Sequence, residues 1–191
     1  MKSAPLKVEV PTVYPAISRA FHWLTLVLVA AAFGLVWAVP EGPATPQGDF
    51  FNAWHRTIGI IVWLITLLRL SWRLHAGVPL PEGSLSPLER RASAAVHWLL
   101  YGFLIAQPML GYLAANLWKS QTMLFNAVTM PALVSGSESL KQPVEDIHIY
   151  AGYTLLALIG GHSAAALYHH FWRRDGVLRR MLPWRSHGET V

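Results

Sequence analysis

Four long apolar stretches run along the 191-residue chain, separated by polar segments rich in proline. Each stretch is about as long as the 20 helical residues that cross a hydrocarbon core. The pattern therefore predicts an all-α membrane protein, an antiparallel four-transmembrane-helix bundle that forms a single domain over residues 1–191. The apolar stretches are Ala20–Val39, Ala53–Leu74, Ala92–Leu117 and Ile147–Trp172, with spans at about 17–39, 53–74, 92–117 and 144–172.

The composition supports the membrane prediction and narrows the chemistry. Hydrophobic residues make up 53% of the chain and charged residues 13%, about half the charged share of a soluble domain. The chain has no cysteine, which excludes disulfides, iron–sulfur clusters and covalently attached c-type haem. Any haem must be held by other side chains.

The distribution of Lys and Arg predicts the orientation, because cytoplasmic loops are enriched in both. Three of the 15 basic residues, Arg56, Lys119 and Lys141, fall on one side of the predicted spans. Both termini are therefore predicted to be cytoplasmic in a bacterial inner membrane, and the net charge of +5 reflects topology and not a nucleic-acid partner. The twelve basic residues on the other side are Lys2, Lys7, Arg19, Arg69, Arg73, Arg90, Arg91, Arg173, Arg174, Arg179, Arg180 and Arg185.

Two further features refine the bundle. The first stretch is longer than the apolar core of a signal peptide, so we expect a retained helix. The segment Thr122–Val134 is apolar but too short to span, and Pro131 interrupts it. It is expected to be an interfacial or re-entrant piece that caps the outer face of the bundle.

Histidines in the apolar stretches fall at two depths. His148 and His162 are fourteen residues apart, which is almost four helical turns, so both leave one helix face about 21 Å apart. Alternating helix directions place His55 beside His148 at the outer level. The same reasoning places His22, His97 and His162 at the inner level, where the pairing stays open. Paired neutral imidazoles on different helices are suitable axial ligands for haem iron, and cofactors of bundles lie between facing helices.

Glycines one turn after the outer histidines support this interpretation. Gly59 follows His55 by four residues, and Gly152 follows His148 by four. A residue four positions on lies on the same helix face, so each glycine leaves room for a flat ring beside its histidine. Small residues also allow close helix packing in membranes, which is the simpler explanation.

Three inner residues have two interpretations each. Arg69 and Arg73 either anchor a helix end at the cytoplasmic surface or bind haem propionates. His169, seven residues past His162, either marks the interface or hydrogen-bonds a propionate or a quinone carbonyl.

Several stretches of the chain resemble the bacterial cytochrome b561 family of diheme membrane proteins, from about Pro15 to Pro183. They are ISRAFHWLTLVL, NAWHRTIGIIVW, LIAQPMLGY, NAVTMP, EDIHIYAGY and GGHSAAALYHHFWRRDGVLRRMLP. The resemblance implies two non-covalent b haems with bis-histidine ligation. It implies that His22 pairs with His162 and His55 with His148, and that His97 is a neighbour of the inner haem and not a ligand.

The resemblance also implies a reaction. Members of this family exchange electrons with ubiquinone, and the best-defined activity is oxidation of superoxide on the periplasmic side. Close relatives instead serve as cytochrome subunits of hydrogenases, so an electron relay to a periplasmic redox partner is the alternative. A transporter or proton relay that uses membrane histidines is a rival from another class.

The outer charges bear on the substrate. Arg56, Lys119 and Lys141 are the outer cations and are the predicted catalytic residues for an anionic substrate. The outer side nevertheless has a formal net charge of −2, which disfavours long-range attraction of superoxide. The outer acidic residues are Glu41, Asp49, Glu138, Glu145 and Asp146.

Overall fold

The computed structural model describes residues 13–134 and 136–182. Within these ranges the chain forms four long helices, which confirms the predicted all-α bundle. Lys2, Lys7 and Arg185, which belong to the predicted cytoplasmic group, lie outside the described residues. The helices are α1 (Ala16–Trp37), α2 (Pro46–Ala76), α3 (Pro87–Leu117) and α4 (Glu138–Tyr168).

Local sequence signals explain where the helices begin and end. The Thr45 hydroxyl accepts a hydrogen bond from the Gly48 amide and Pro46 is the first residue of α2. Ser86 and Glu89 form a reciprocal capping box before α3. Such caps satisfy amides that have no partner inside the helix. Gly77 ends α2 with a φ of 71°, a conformation that favours glycine.

Consecutive helices pack side by side, α1 on α2, α2 on α3 and α3 on α4. The end of α4 returns to the loop between α2 and α3, where Arg173 pairs with Glu89 and donates to the Ser84 carbonyl. Arg180 likewise lies 3.0 Å from Glu82. These contacts place the two basic segments at one end of the bundle, as antiparallel packing requires.

The last helix differs from its predicted span of 144–172. It begins earlier, at Glu138, and its α-helical part ends at Tyr168. A π-helical turn, His169–Arg173, continues it and closes on Arg174 with a φ of 55°. The prediction missed this change because π-helical turns have no periodic hydrophobic pattern of their own.

Three of the described helices, α1, α2 and α3, are long and apolar enough to cross a membrane by length and composition. Large hydrophobic side chains point away from the bundle on these helices, for example Val27 at 63% and Leu68 at 56% exposed. Such outward apolar faces are typical of lipid contact. Helix α4 has the same length as α2 and α3 but is not among the three helices that meet this criterion, so its membrane crossing stays a prediction.

An apolar layer crosses the middle of the bundle. Each helix contributes one buried side chain to it: Val29, Val62, Leu104 and Leu155. On its own helix each of these lies seven residues from a membrane histidine, which is about 10 Å along the axis. The layer therefore separates an outer histidine level from an inner one.

The Thr122–Val134 segment folds as a small hairpin and does not enter the bundle as a helix. Strands β1 (Met123–Leu124) and β2 (Val128–Thr129) pair antiparallel. The buried Thr57 hydroxyl accepts from the Phe125 amide at 3.3 Å and lies 3.4 Å from the Met123 carbonyl oxygen. The hairpin thus packs on the outer part of α2, as predicted for a cap on this face.

Candidate functional site

The outer histidines face one another across the bundle. The ring centroids of His55 and His148 are 6.3 Å apart and their planes are nearly perpendicular, at 79°. His55 Nδ1 donates to the Ala32 carbonyl at 2.8 Å, and His148 Nδ1 donates to the Gln107 carbonyl at 3.1 Å. A neutral imidazole with its proton on Nδ1 has a free lone pair on Nε2. Both side chains are therefore in the tautomer that binds a metal through Nε2.

A large cavity of about 1100 Å³ surrounds this pair, at the upper end of ordinary ligand pockets. Both predicted glycines line it, but their surroundings differ. A Cβ on Gly59 would meet no atom within 4 Å, whereas a Cβ on Gly152 would lie 3.0 Å from the Gln107 amide nitrogen. Gly59 therefore opens onto free space, while Gly152 makes room for a side chain of α3.

Three inner histidines cluster on three helices. The rings of His22 and His162 have centroids 6.2 Å apart, and those of His97 and His162 are 5.2 Å apart. His97 Nδ1 lies 2.6 Å from the Ser93 carbonyl, so it donates and leaves Nε2 free. His22 Nδ1 lies 3.1 Å from the Arg69 guanidinium. Since arginine only donates, His22 accepts there and its proton resides on Nε2.

The two predicted inner arginines lie together on α2. Arg69 lies 5.4 Å and Arg73 5.7 Å from the centre of the Tyr101 ring, and Arg73 also stacks over Trp98. Such cation–π contacts stabilise a partly buried guanidinium. Within the described residues neither forms an ion pair with a carboxylate, so both charges remain available to an anionic group.

His169 has a carboxylate partner that sequence reasoning did not identify. Its Nδ1 donates to Asp175 at 2.6 Å, and Asp175 also accepts from the Val177 amide. Burial alone raises the pKa of Asp175, but the hydrogen bonds from His169 and Val177 and the nearby charges hold that pKa below its usual value. The π-helical turn brings the two residues together, so a straight helical extrapolation could not show the pair.

The three outer cations do not converge on the cavity. Arg56 lines it and donates to the Ser120 hydroxyl at 2.7 Å. Lys141 forms a salt bridge of 2.7 Å with Glu138 and lies over the Trp118 ring. Lys119 is exposed and lies outside the residues that line the cavity. Of the predicted catalytic residues, Arg56 alone borders the outer histidine pair.

Two residues of α3 contact the outer pair without having been predicted as site residues. The amide of Gln107 donates to the His148 backbone carbonyl at 2.8 Å. A Cβ on Gly111 would lie 2.7 Å from His148 Cε1, so the imidazole packs directly on the helix backbone. Both residues lie in the stretch LIAQPMLGY that carries the family resemblance, but a glycine one turn after a glutamine is too common a pattern to assign them a role.

Facing imidazoles between membrane helices are typical of a membrane cytochrome, in which histidines hold haem iron inside a helix bundle. The comparison with protein families agrees. The model of the prokaryotic cytochrome b561 family matches residues 13–184, and the chain belongs to this family.

The curated relatives are similar over nearly their whole length. Cytochrome b561 homolog 2 of Escherichia coli K12 is 30% identical over 90% of this chain and 92% of its own. Cytochrome b561 homolog 1 of the same strain is 29% identical over 86% and 94%. A protein of Yersinia pestis named probable superoxide oxidase CybB is 26% identical over 89% and 96%. The chain is thus a bacterial membrane cytochrome with b-type haem that transfers electrons across the membrane.

Proposed function

We propose that this cytochrome holds two b haems, oxidises superoxide at the outer side and reduces ubiquinone at the inner side. The observation that carries the proposal is the outer pair, His55 and His148, which face each other with both Nδ1 protons on carbonyl oxygens. Backbone carbonyls of this kind fix the tautomer and orientation of ligating histidines.

The ring spacing supports a shared metal ion at each level. A metal–imidazole bond is about 2.0 Å long, and the ring centre lies about 1.1 Å beyond the nitrogen, so two imidazoles that share one ion have centroids about 6 Å apart. The outer pair at 6.3 Å and the His22–His162 pair at 6.2 Å fit this spacing. The open space beside Gly59 fits a planar ring next to His55. The residues therefore suit two haems.

At the inner level we propose His22 and His162 as the ligands and His97 as a neighbour. Coordination through His22 Nε2 requires that Arg69 release the ring, because its hydrogen bond keeps the proton on Nε2. A haem propionate is the natural alternative partner for Arg69 and Arg73, since arginine pairs well with carboxylates. Arg69 would thereby leave His22 in the tautomer that coordination needs.

When bound, the haems supply one-electron chemistry, and the protein positions the reactants. Arg56 is next to His55 and lines the outer cavity, where its charge would attract a small anion. His169 donates its Nδ1 proton to Asp175, so its Nε2 donates to a quinone carbonyl at the inner end only when the imidazole carries a second proton. The basic residues around this end favour a cytoplasmic location for it.

The second candidate is an electron relay to a periplasmic redox protein. The outer charges favour this candidate, because Lys141 forms a salt bridge with Glu138 and Arg56 donates to the Ser120 hydroxyl. A net negative outer side would repel superoxide at long range and would suit a cationic partner.

Purified protein tests the cofactor assignment first. We expect two b haems per chain by haem assay and paired α-bands in a reduced-minus-oxidised spectrum. His55→Ala and His148→Ala should each lower the content from two haems to one. A colourless protein would contradict the proposal and favour a transporter or proton relay.

A pulse of superoxide tests the reaction. We expect rapid haem reduction that superoxide dismutase abolishes, and turnover that requires added ubiquinone. Slow reduction that is indifferent to the dismutase would instead favour the relay, and co-purification of a redox partner would support it.

A further inference from the structure

Helix α3 contacts His148 at two points through one residue. The Gln107 side-chain amide donates to the His148 carbonyl at 2.8 Å, while His148 Nδ1 donates to the Gln107 carbonyl at 3.1 Å. One contact holds the backbone of α4 and the other holds the ring. We propose that Gln107 is a positioning residue that fixes His148 as a ligand of the outer haem.

Glycines make this double contact possible on both helices. A Cβ on Gly111 would overlap the His148 ring at 2.7 Å, and a Cβ on Gly152 would press on the Gln107 amide at 3.0 Å. Gly111 is one turn after Gln107 and Gly152 is one turn after His148, so the same faces meet. The two helices approach closely at this level, and the geometry of the ligand depends on the approach.

The consequence for the ligand is electronic as well as geometric. An N–H···O bond from Nδ1 to a carbonyl makes the imidazole more electron-donating, which stabilises ferric iron and lowers the midpoint potential. Without the side-chain amide, α4 can shift relative to the Gln107 carbonyl and this bond weakens. Hydrogen bonding around a haem ligand is a recognised means of setting its potential.

The inner level serves as an internal reference. Within the described residues the His162 ring makes no hydrogen bond, and it lies fourteen residues from His148 on the same helix. A change at Gln107 should therefore alter one haem and spare the other.

The test uses the purified membrane protein with Gln107→Leu, which has similar volume and no amide. Redox titration and low-temperature EPR should show one midpoint raised and one of two low-spin ferric signals shifted, with the other haem unchanged. Loss of one haem, with the second unaltered, also supports the proposal. The matched control is Gln47→Leu, since Gln47 is exposed and lies outside the residues that line the outer cavity. It should leave both midpoints in place.

Gly111→Ala gives an independent check, because the three atoms nearest to the added methyl group all belong to the His148 ring and Gln107 itself is unchanged. It should perturb the same haem as Gln107→Leu. Wild-type values for both haems in either variant, or equal perturbation of both haems, would overturn the inference. The inference rests on the proposed function, but the two fail differently: wild-type protein that does not bind two haems contradicts the function, whereas two haems indifferent to Gln107 contradict this inference alone.

Discussion

The pairing of the inner histidines gives the most specific prediction, because two histidines compete for the place opposite His162. We predict that His22→Ala lowers the haem content from two to one per chain and that His97→Ala keeps both haems. The ring spacings in the structure favour His22 as the partner. The His97–His162 rings are 1.0 Å closer than the His22–His162 rings, at 5.2 against 6.2 Å.

This difference is large on the scale of a coordination bond. Ligand distances in real sites vary by about 0.2 Å, and a shared ion at the shorter spacing would need each bond shortened by about 0.5 Å from its usual 2.0 Å. The two rings would have to move apart by about 1 Å to relieve this. The His22 pair needs only the side chain of Arg69 to turn away.

Haem content by the pyridine haemochrome method, together with redox titration, measures the outcome. In His22→Ala one of two midpoints should vanish, and in His97→Ala both should persist, with the inner one shifted because a neighbour has been removed. His55→Ala is the reference for loss of one haem at the other level. If His97→Ala loses a haem while His22→Ala retains two, the spacing argument is wrong and hydrogen bonding to Ser93 identifies the true ligand.

Three further predictions follow from single contacts. Thr57→Val should lower the free energy of unfolding by about 1–3 kcal/mol, because the Phe125 amide loses a buried acceptor; thermal unfolding measures this, and an unchanged melting temperature would contradict it. Gly59→Phe should abolish outer haem binding, measured as haem per chain, while Gly59→Ala keeps it, since the free space admits a methyl group. The lowered pKa of Asp175 means that its ionised form stabilises the fold above the unfolded pKa and that this contribution is lost as pH falls through the lower folded value. The gap in melting temperature between wild type and Asp175→Asn should therefore begin to narrow as the pH falls below about 4 and vanish below the folded pKa, and a gap that stays constant over this range would argue against this role.

The level of each histidine could be predicted because helix direction alternates and the rise per residue is fixed. The structure brings His55 to His148, and His22 and His97 to His162, as that reasoning requires. Rotation about each helix axis was not predictable, so helix geometry alone could not separate His22 from His97, and only the family resemblance favoured His22. Ring spacing and the choice of hydrogen-bond partner depend on packing across helices, which no single-helix pattern contains.

Side-chain partners at helix ends were still harder to predict from the sequence. The sequence shows how many cations fall on the predicted outer side but not where their side chains lie: Lys141 pairs with Glu138 one turn away, and Lys119 lies outside the residues that line the cavity. Gly152 was assigned room for a porphyrin by its spacing from His148, yet the space above it is filled from α3 by Gln107. Spacing shows which face a residue occupies and not what meets that face.

The apolar layer joins these observations to the class of function. Val29, Val62, Leu104 and Leu155 lie between the two histidine levels, and their side chains have no group that can hold or pass a proton. A proton relay between the levels would need titratable groups or ordered water at this depth. Electrons need neither, since they tunnel through packed hydrocarbon. Paired imidazoles above and below such a layer therefore favour electron transfer over proton transport. Electron transfer needs no polar group at this depth, so a polar substitution such as Leu104→Asn should only disturb the packing of the layer.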